Sequence, residues 1–119
     1  MAQHNDLGKL GEALAQNHLQ KNGYTILETN FQFGHAEIDI IAQKDDVIAV
    51  IEVKTRSSDH YGKPEIFVSK KKIKLLVNAI NHYIEVNNLD VEIRFDIISI
   101  IKNQYTENIE HIEDAFMWF

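Results

Sequence analysis

A chain of 119 residues, 45% hydrophobic and 25% charged, is sized for one domain, residues 1–119, with one sizeable core. With no cysteine in the chain, a disulfide framework and a thiolate metal centre are both excluded. A formal charge of −6 weighs against a polyanion partner, although seven of the twelve basic residues fall within 54–74, which carries about +5 by formal charges.

The opening Met1-Ala2-Gln3-His4-Asn5-Asp6 lacks the basic and apolar regions of a signal peptide. No apolar run approaches the roughly 20 residues that span a bilayer. A soluble, cytoplasmic protein without a membrane partner is expected. Asp6 reads as the N-cap of a first helix whose face is Leu7, Leu10, Gly11, Leu14, Ala15, His18 and Leu19. Gly23 is suited to the left-handed position that ends it. A strand starts at 24–27, with room to run on to Phe33.

Segments 37–42 and 47–53 are strands rich in Ile and Val, joined by a polar turn at 44–47. Strict alternation puts Ile38, Ile40, Ala49, Ile51 and Val53 on one face, and Ile41, Ile48 and Val50 on the other. Strands apolar on both faces belong in the middle of a covered sheet. A loop follows at 56–64. Ser69 caps a second helix with the stripe Ile73, Leu76, Val77, Ile80 and Ile84, ending at Asn87-Asn88. Segment 91–101 is a further strand, and the tail through Ile109, Ile112, Ala115, Phe116 and Trp118 adds a short strand or a cover. The order predicts an α/β fold with a mixed sheet of four to five strands flanked by two main helices.

Charges interrupt the apolar strands. A two-residue turn at Asp45-Asp46 places Asp39 opposite Glu52 and Glu37 opposite Lys54, all on one face. Two carboxylates that close repel, and a divalent cation relieves the repulsion; Mg²⁺ takes one or two carboxylates plus waters and phosphate oxygens. Lys54 points at the same spot and can orient a water or offset phosphate charge. The alternative is a solvated strand end in which Glu37 pairs with Lys54. Glu12 sits at the rim of the first helix's apolar stripe, either exposed or reaching the sheet beneath. Lys70, Lys71 and Lys72 open the second helix against its dipole, which fits either phosphate contacts or a solvated basic end. Arg56 is a further phosphate candidate. The histidines at 4, 18, 35, 60, 82 and 111 show no zinc-type spacing. Arg94 and Asp96 read as a structural ion pair, and Trp118 and Phe119 as packed aromatics rather than base-stacking ones.

The stretches Gly11-Glu12, Asn30, Glu37-Ile38-Asp39, Glu52-Val53-Lys54-Thr55-Arg56, Tyr61-Gly62, Lys71, Arg94-Phe95-Asp96 and Asp114-Ala115-Phe116 run in order along nearly the whole chain. In these the sequence resembles the bacterial YraN-type family, related to archaeal Holliday-junction resolvases within the PD-(D/E)xK nuclease superfamily. The resemblance implies a restriction-endonuclease-like core. It implies metal binding by Asp39 and Glu52, with the Val53 carbonyl as a third ligand and Glu12 joining from the helix, and Lys54 as the catalytic lysine. One departure is His35-Ala36, where the family often has Gly-Gly. The expected function is a Mg²⁺- or Mn²⁺-dependent endonuclease on DNA, including branched or structured DNA, with Arg56, Lys70, Lys71 and Lys72 on the phosphates. The competing expectations are a nuclease-fold nucleic-acid-binding or scaffolding module without useful catalysis, and a plain structural domain; a homodimer is compatible with each.

Overall fold

The computed structural model describes residues 2–58 and 68–116. The elements in order are α1 (Ala2–Lys21), β1 (Thr25–Phe33), β2 (Ala36–Lys44), β3 (Val47–Arg56), α2 (Lys70–Val86), β4 (Glu92–Lys102) and β5 (Glu107–Ile112). The strands form one sheet in the order β1-β2-β3-β4-β5. All neighbours are antiparallel except β3 and β4, which are parallel and joined through α2. A parallel pair needs such a crossover, and the Ser69-capped helix supplies it. This is the expected α/β core with a mixed sheet and two helices. Expectations resting on residues 59–64, Trp118 and Phe119, including His60 and Tyr61-Gly62, lie outside the described residues.

The helices cover opposite faces. Ala15 and Leu19 of α1 pack with Ile40, Ala42, Ala49, Ile51, Ile98 and Ile100. Leu76, Ala79, Ile80 and Tyr83 of α2 pack with Ile38, Ile41, Ile48, Val50 and Phe95. Helix α1 ends as Gly23 predicts: at φ 90° it lets the Tyr24 N–H reach the Leu19 carbonyl at 3.0 Å and its own N–H reach that of Gln20 at 3.2 Å. Ser69 caps α2 by accepting from the Lys72 N–H at 3.1 Å.

Several details correct the sequence reading. Helix α1 begins at Ala2, so Asp6 lies inside it and caps nothing; Ala2 and Gln3 are good helix formers and extend it upstream. Leu10 is 42% exposed, because Gly11, Ala15 and Leu19 form the contact line. The buried face of α2 is Leu76, Ala79, Ile80 and Tyr83, turned from the expected stripe so that Ile73, Val77 and Ile84 flank it. Ile38 belongs with Ile41 and Val50, not with Ile40. The two-residue alternation therefore breaks between Ile38 and Ile40, at Asp39.

The expected ion pair of Arg94 and Asp96 is the polar centre of the α1 side. Asp96 is fully buried and fully partnered. Arg94 donates to both its oxygens at 2.9 and 2.8 Å, the His111 ring nitrogen lies at 2.8 Å, and the Asp114 N–H donates at 3.0 Å. Arg94 also donates to the Tyr24 hydroxyl. Next door, the Ala115 N–H donates to the Phe95 carbonyl at 2.7 Å and Phe116 lies against Phe95 with ring centroids 5.2 Å apart. The segment after β5 is thus fastened to β4 by its backbone and by Asp96.

Burial alone would push the Asp96 carboxyl up; the bonds from His111, Arg94 and the Asp114 N–H outweigh it and hold it below the usual carboxylate value. A lowered folded-state pKa stabilises the fold above the unfolded value and is lost as pH falls through the folded one. Asp96→Asn should cost about 3–5 kcal/mol at pH 7, the scale for unpairing a buried ion. The gap from wild type should narrow as pH drops below about 4. Urea denaturation across that range checks both; a pH-independent gap would contradict the assignment.

Candidate functional site

Strands β2 and β3 pair from Lys44–Val47 to Ile40–Ile51 and no further. The turn between them is the two-residue Asp45-Asp46, with Asp45 left-handed at φ 54°, a conformation Asp tolerates. Beyond Ile40 the strands part. The Val53 N–H, which a continuing ladder would give to a β2 carbonyl, donates instead to Asp39 Oδ2 at 2.8 Å. The Asp39 carboxylate thus fills the opening between the strands.

Strand β1 stays paired with β2 through this level, its register shift lying between Ile26 and Glu28, but its backbone is irregular there. Its register with β2 runs Thr29–Ile40, then Phe31–Ile38, so Asn30 stands beside Asp39. Asn30 has φ 52° in mid-strand, a conformation that suits Asn and strains β-branched residues. The paired irregularity turns Ile38 toward α2 while Ile40 stays toward α1. The nearby β1–β2 turn explains why His35-Ala36 is tolerated in place of Gly-Gly. The positive φ there, 61°, belongs to Gly34, while Ala36 is already buried in strand and paired with Phe33.

Asp39 and Glu52 line one half-open cleft of about 360 Å³. Its walls are His35, Ala36 and Glu37 from β2 and its turn, and Ser69, Lys71, Lys72, Leu75 and Leu76 from α2. Glu52 is only 11% exposed in its side chain, and its Oε2 lies 2.5 Å from Lys72 Nζ and 3.7 Å from Lys54 Nζ. Burial pushes the Asp39 carboxyl up; the Val53 N–H opposes this, while the charges of Glu52 and Glu12 add to it, leaving a pKa of about 6.

The structure brings together Asp39, Glu52, Lys54, Lys71 and Lys72. The other expected site residues are placed differently. Glu37 does not face Lys54: it pairs with Gln32 of β1 and accepts from the Gln32 side chain at 3.3 Å, because β2 has left β3 at that point. Glu12 lies on α1, across the sheet from α2, lining a shallow groove with Lys9 and Gln16. It reaches Asp39 through its charge. Its position follows from Gly11, where an added Cβ would sit 1.9 Å from Thr55 Oγ1; only glycine lets α1 approach the end of β3 so closely. Arg56 is exposed at the end of β3, about 13 Å along the strand from Glu52 at some 3.3 Å per residue. Lys70 is exposed and does not line the cleft.

Among the described residues no group of three or more His, Asp or Glu side chains converges as a metal cage. The donor set is two carboxylates and the Val53 backbone. That is sparse for an all-protein site, but it suits a Mg²⁺-type ion that keeps waters and takes substrate phosphate.

Two features escaped the sequence reading. Lys72 was read as a phosphate contact or part of a solvated basic end, yet it is four residues before Leu76 and eight before Ile80, which puts it on the buried face of α2. Asn30 stood in a predicted strand with no role, although a mid-strand Asn, poor in β-propensity, is a signal of irregular backbone.

Asn30→Gly should fold with near-wild-type stability, whereas Asn30→Val should cost about 1–2 kcal/mol, the scale for a non-glycine left-handed residue. Equal thermal denaturation of the two variants would remove the strain argument. For Asp39 the sign is opposite to that of Asp96. A carboxyl raised to about 6 holds its proton while the unfolded chain has released it, so stability is lost as pH rises from about 4 to 6. Without divalent cations, Asp39→Asn should gain on wild type over that interval, by up to about 3 kcal/mol at pH 8, with no gain at pH 4. Parallel pH–stability curves by urea titration would contradict it.

Residues 11–100 match the uncharacterised protein family UPF0102. The chain is 58% identical over 119 residues to a UPF0102 protein of Flavobacterium psychrophilum, covering 100% of both chains. It is 47% identical over 116 residues to one of Parabacteroides distasonis, covering 98% of this chain and 96% of that one. A third, from Bacteroides thetaiotaomicron, is 43% identical over 116 residues with the same coverage. A match through most of the chain, together with full-length relatives at this identity, establishes that the chain belongs to the UPF0102 family.

Proposed function

We propose that the cleft is the site of a divalent-cation-dependent nuclease that hydrolyses phosphodiester bonds in DNA. One observation carries the reading: Asp39 and Glu52 meet where β2 and β3 part, with Lys54 beside Glu52 on a restriction-endonuclease-like core. An Asp carboxyl held near pH 6 by burial and by neighbouring acids is an electrostatic debt that a cation would cancel. Branched or structured DNA is the substrate form suggested by the resemblance to junction resolvases.

Asp39 and Glu52 would hold Mg²⁺ or Mn²⁺, with the Val53 carbonyl available from the same strand. When bound, the ion supplies Lewis-acid polarisation of the phosphate and a water acidic enough to attack near neutral pH. The Asp39–Val53 bond fixes the Asp39 carboxylate against rotation, so its free oxygen has one direction to offer. Lys54 keeps an ammonium at the edge of the site, where it orients the attacking water and offsets charge developing on the phosphate. Lys71 at the cleft and Arg56 at the strand end take flanking phosphates, and Lys70 and Lys72 add positive charge at the start of α2. The apolar wall of Leu75 and Leu76 lowers the local dielectric and strengthens each of these interactions.

Incubation with Mg²⁺ or Mn²⁺ against single-stranded, duplex, flap and four-way-junction DNA tests the reading. Wild-type protein should cleave at least one form, and Lys54→Ala should lose about 100-fold or more in rate, the range for removing one electrostatic stabiliser, while retaining DNA affinity. Cleavage unchanged in Lys54→Ala would assign the activity to another site. Salt-dependent binding without cleavage of any form would make the protein a nuclease-fold binding module instead.

A further inference from the structure

We infer that Lys72 is an exchangeable counter-cation: it neutralises Glu52 in the cation-free protein and yields that carboxylate to a divalent ion, moving to a substrate phosphate. This rests on the proposed metal site and adds a coupling between its two ligands.

The side chains of the pair are unequal. Glu52 is 11% exposed and fixed in the centre of the sheet, whereas Lys72 is 44% exposed. Lys72 stands at the first turn of α2 above Leu76, so its stem runs along the cleft wall and only its amine reaches inward to Oε2, at 2.5 Å. A long, flexible stem of this kind swings its head to solvent without repacking the core. Lys54 already lies 3.7 Å from the same oxygen. A divalent ion on that carboxylate would face two ammonium groups at close range, where like charges repel strongly. The more exposed of the two, Lys72 at 44% against 25% for Lys54, is the one free to withdraw. The direction it withdraws in is set by the helix: toward the cleft mouth, beside Lys71 at the start of α2, where the positive end of the helix dipole favours a phosphate.

The consequence is thermodynamic. Lys72 opposes the cation and, once displaced, favours the phosphate. Cation and nucleic acid therefore bind with positive coupling, each tightening the other by the same factor. Lys71 lines the same cleft but does not bond Glu52, so it should contribute to phosphate binding with no effect on the cation.

The test compares wild type, Lys72→Met, Lys71→Met and Asp39→Asn by Mn²⁺ calorimetry and by duplex oligonucleotide binding with and without Ca²⁺. Thermal denaturation verifies that each variant folds. Lys72→Met should bind Mn²⁺ about tenfold or more tightly than wild type, a change of about 1.4 kcal/mol. It should also lose most of the Ca²⁺-dependent gain in oligonucleotide affinity. Lys71→Met should bind Mn²⁺ as wild type does and lose oligonucleotide affinity equally with and without Ca²⁺. If wild type binds Mn²⁺ in an Asp39-dependent way and Lys72→Met matches its affinity, the exchange is overturned while the metal site stands. If neither wild type nor Lys72→Met binds Mn²⁺, both fall.

Discussion

The bond from the Val53 N–H to the Asp39 carboxylate holds the cleft end of this sheet together while keeping it open. A buried backbone N–H must have a partner, and in an unbroken hairpin it would find one in the neighbouring strand. Here the partner is a side chain, so β2 and β3 separate after Ile40–Ile51 without leaving the donor stranded. Every element around the opening is adjusted to this. Asn30 takes up the irregularity in β1, Ile38 turns toward α2, Gly11 lets α1 close on Thr55, and α2 brings lysines over the gap.

Asp39 and Asp96 show how environment divides one residue type between two tasks. Asp96 has four bonds from Arg94, His111 and the Asp114 backbone. They satisfy it so fully that it stays ionised at no exposure. It anchors β4 to the segment beyond β5 and has no bonding capacity to offer a ligand. Asp39 has one backbone bond, two acidic neighbours and partial burial, and its carboxyl is driven up to about 6. Carboxyls pushed apart in this way fit a structural role for Asp96 and the chemical one proposed for Asp39. The same logic explains why His111, although close to His18, belongs to the packing of the fold: its ring is committed to Asp96.

Much of this was legible in the sequence, and the limits have physical causes. Local chemistry was reliable. Gly23 ended α1, Ser69 capped α2, Asp45-Asp46 made a two-residue turn, and the apolar runs became a sheet covered on both faces, because each depends on residues adjacent in sequence. Strict alternation succeeded along β3 and failed at Ile38, because a side-chain-to-backbone bond across strands interrupts the pleat, and no single-strand pattern encodes that. The same break separated Glu37 from Lys54. Proximity of Asp39 to Glu52 survived since it needed only the turn length, not an intact ladder. The pairing of Lys72 with Glu52 was missed for a different reason: a lysine on a helix's apolar face has no evident partner until the acid beneath it is known.

The negative overall charge is reconciled with the phosphate binding proposed for the cleft by where the charges lie. The acids at the cleft, Asp39 and Glu52, are partly buried, while Lys71 and the exposed part of Lys72 stand at its mouth. An approaching polyanion meets the lysines first, and screening by salt over about 8–10 Å reduces its response to acids elsewhere on the surface. The inner carboxylates would then act as a threshold once Lys72 leaves Glu52 for a phosphate, since without a cation the freed carboxylate would repel that phosphate. Under the proposed function, a site with acids inside and lysines outside would attract a nucleic-acid backbone to its edge and admit it to the centre only once a divalent cation had reversed the sign there. Dependence of binding on the cation would then follow from the order in which these charges are buried.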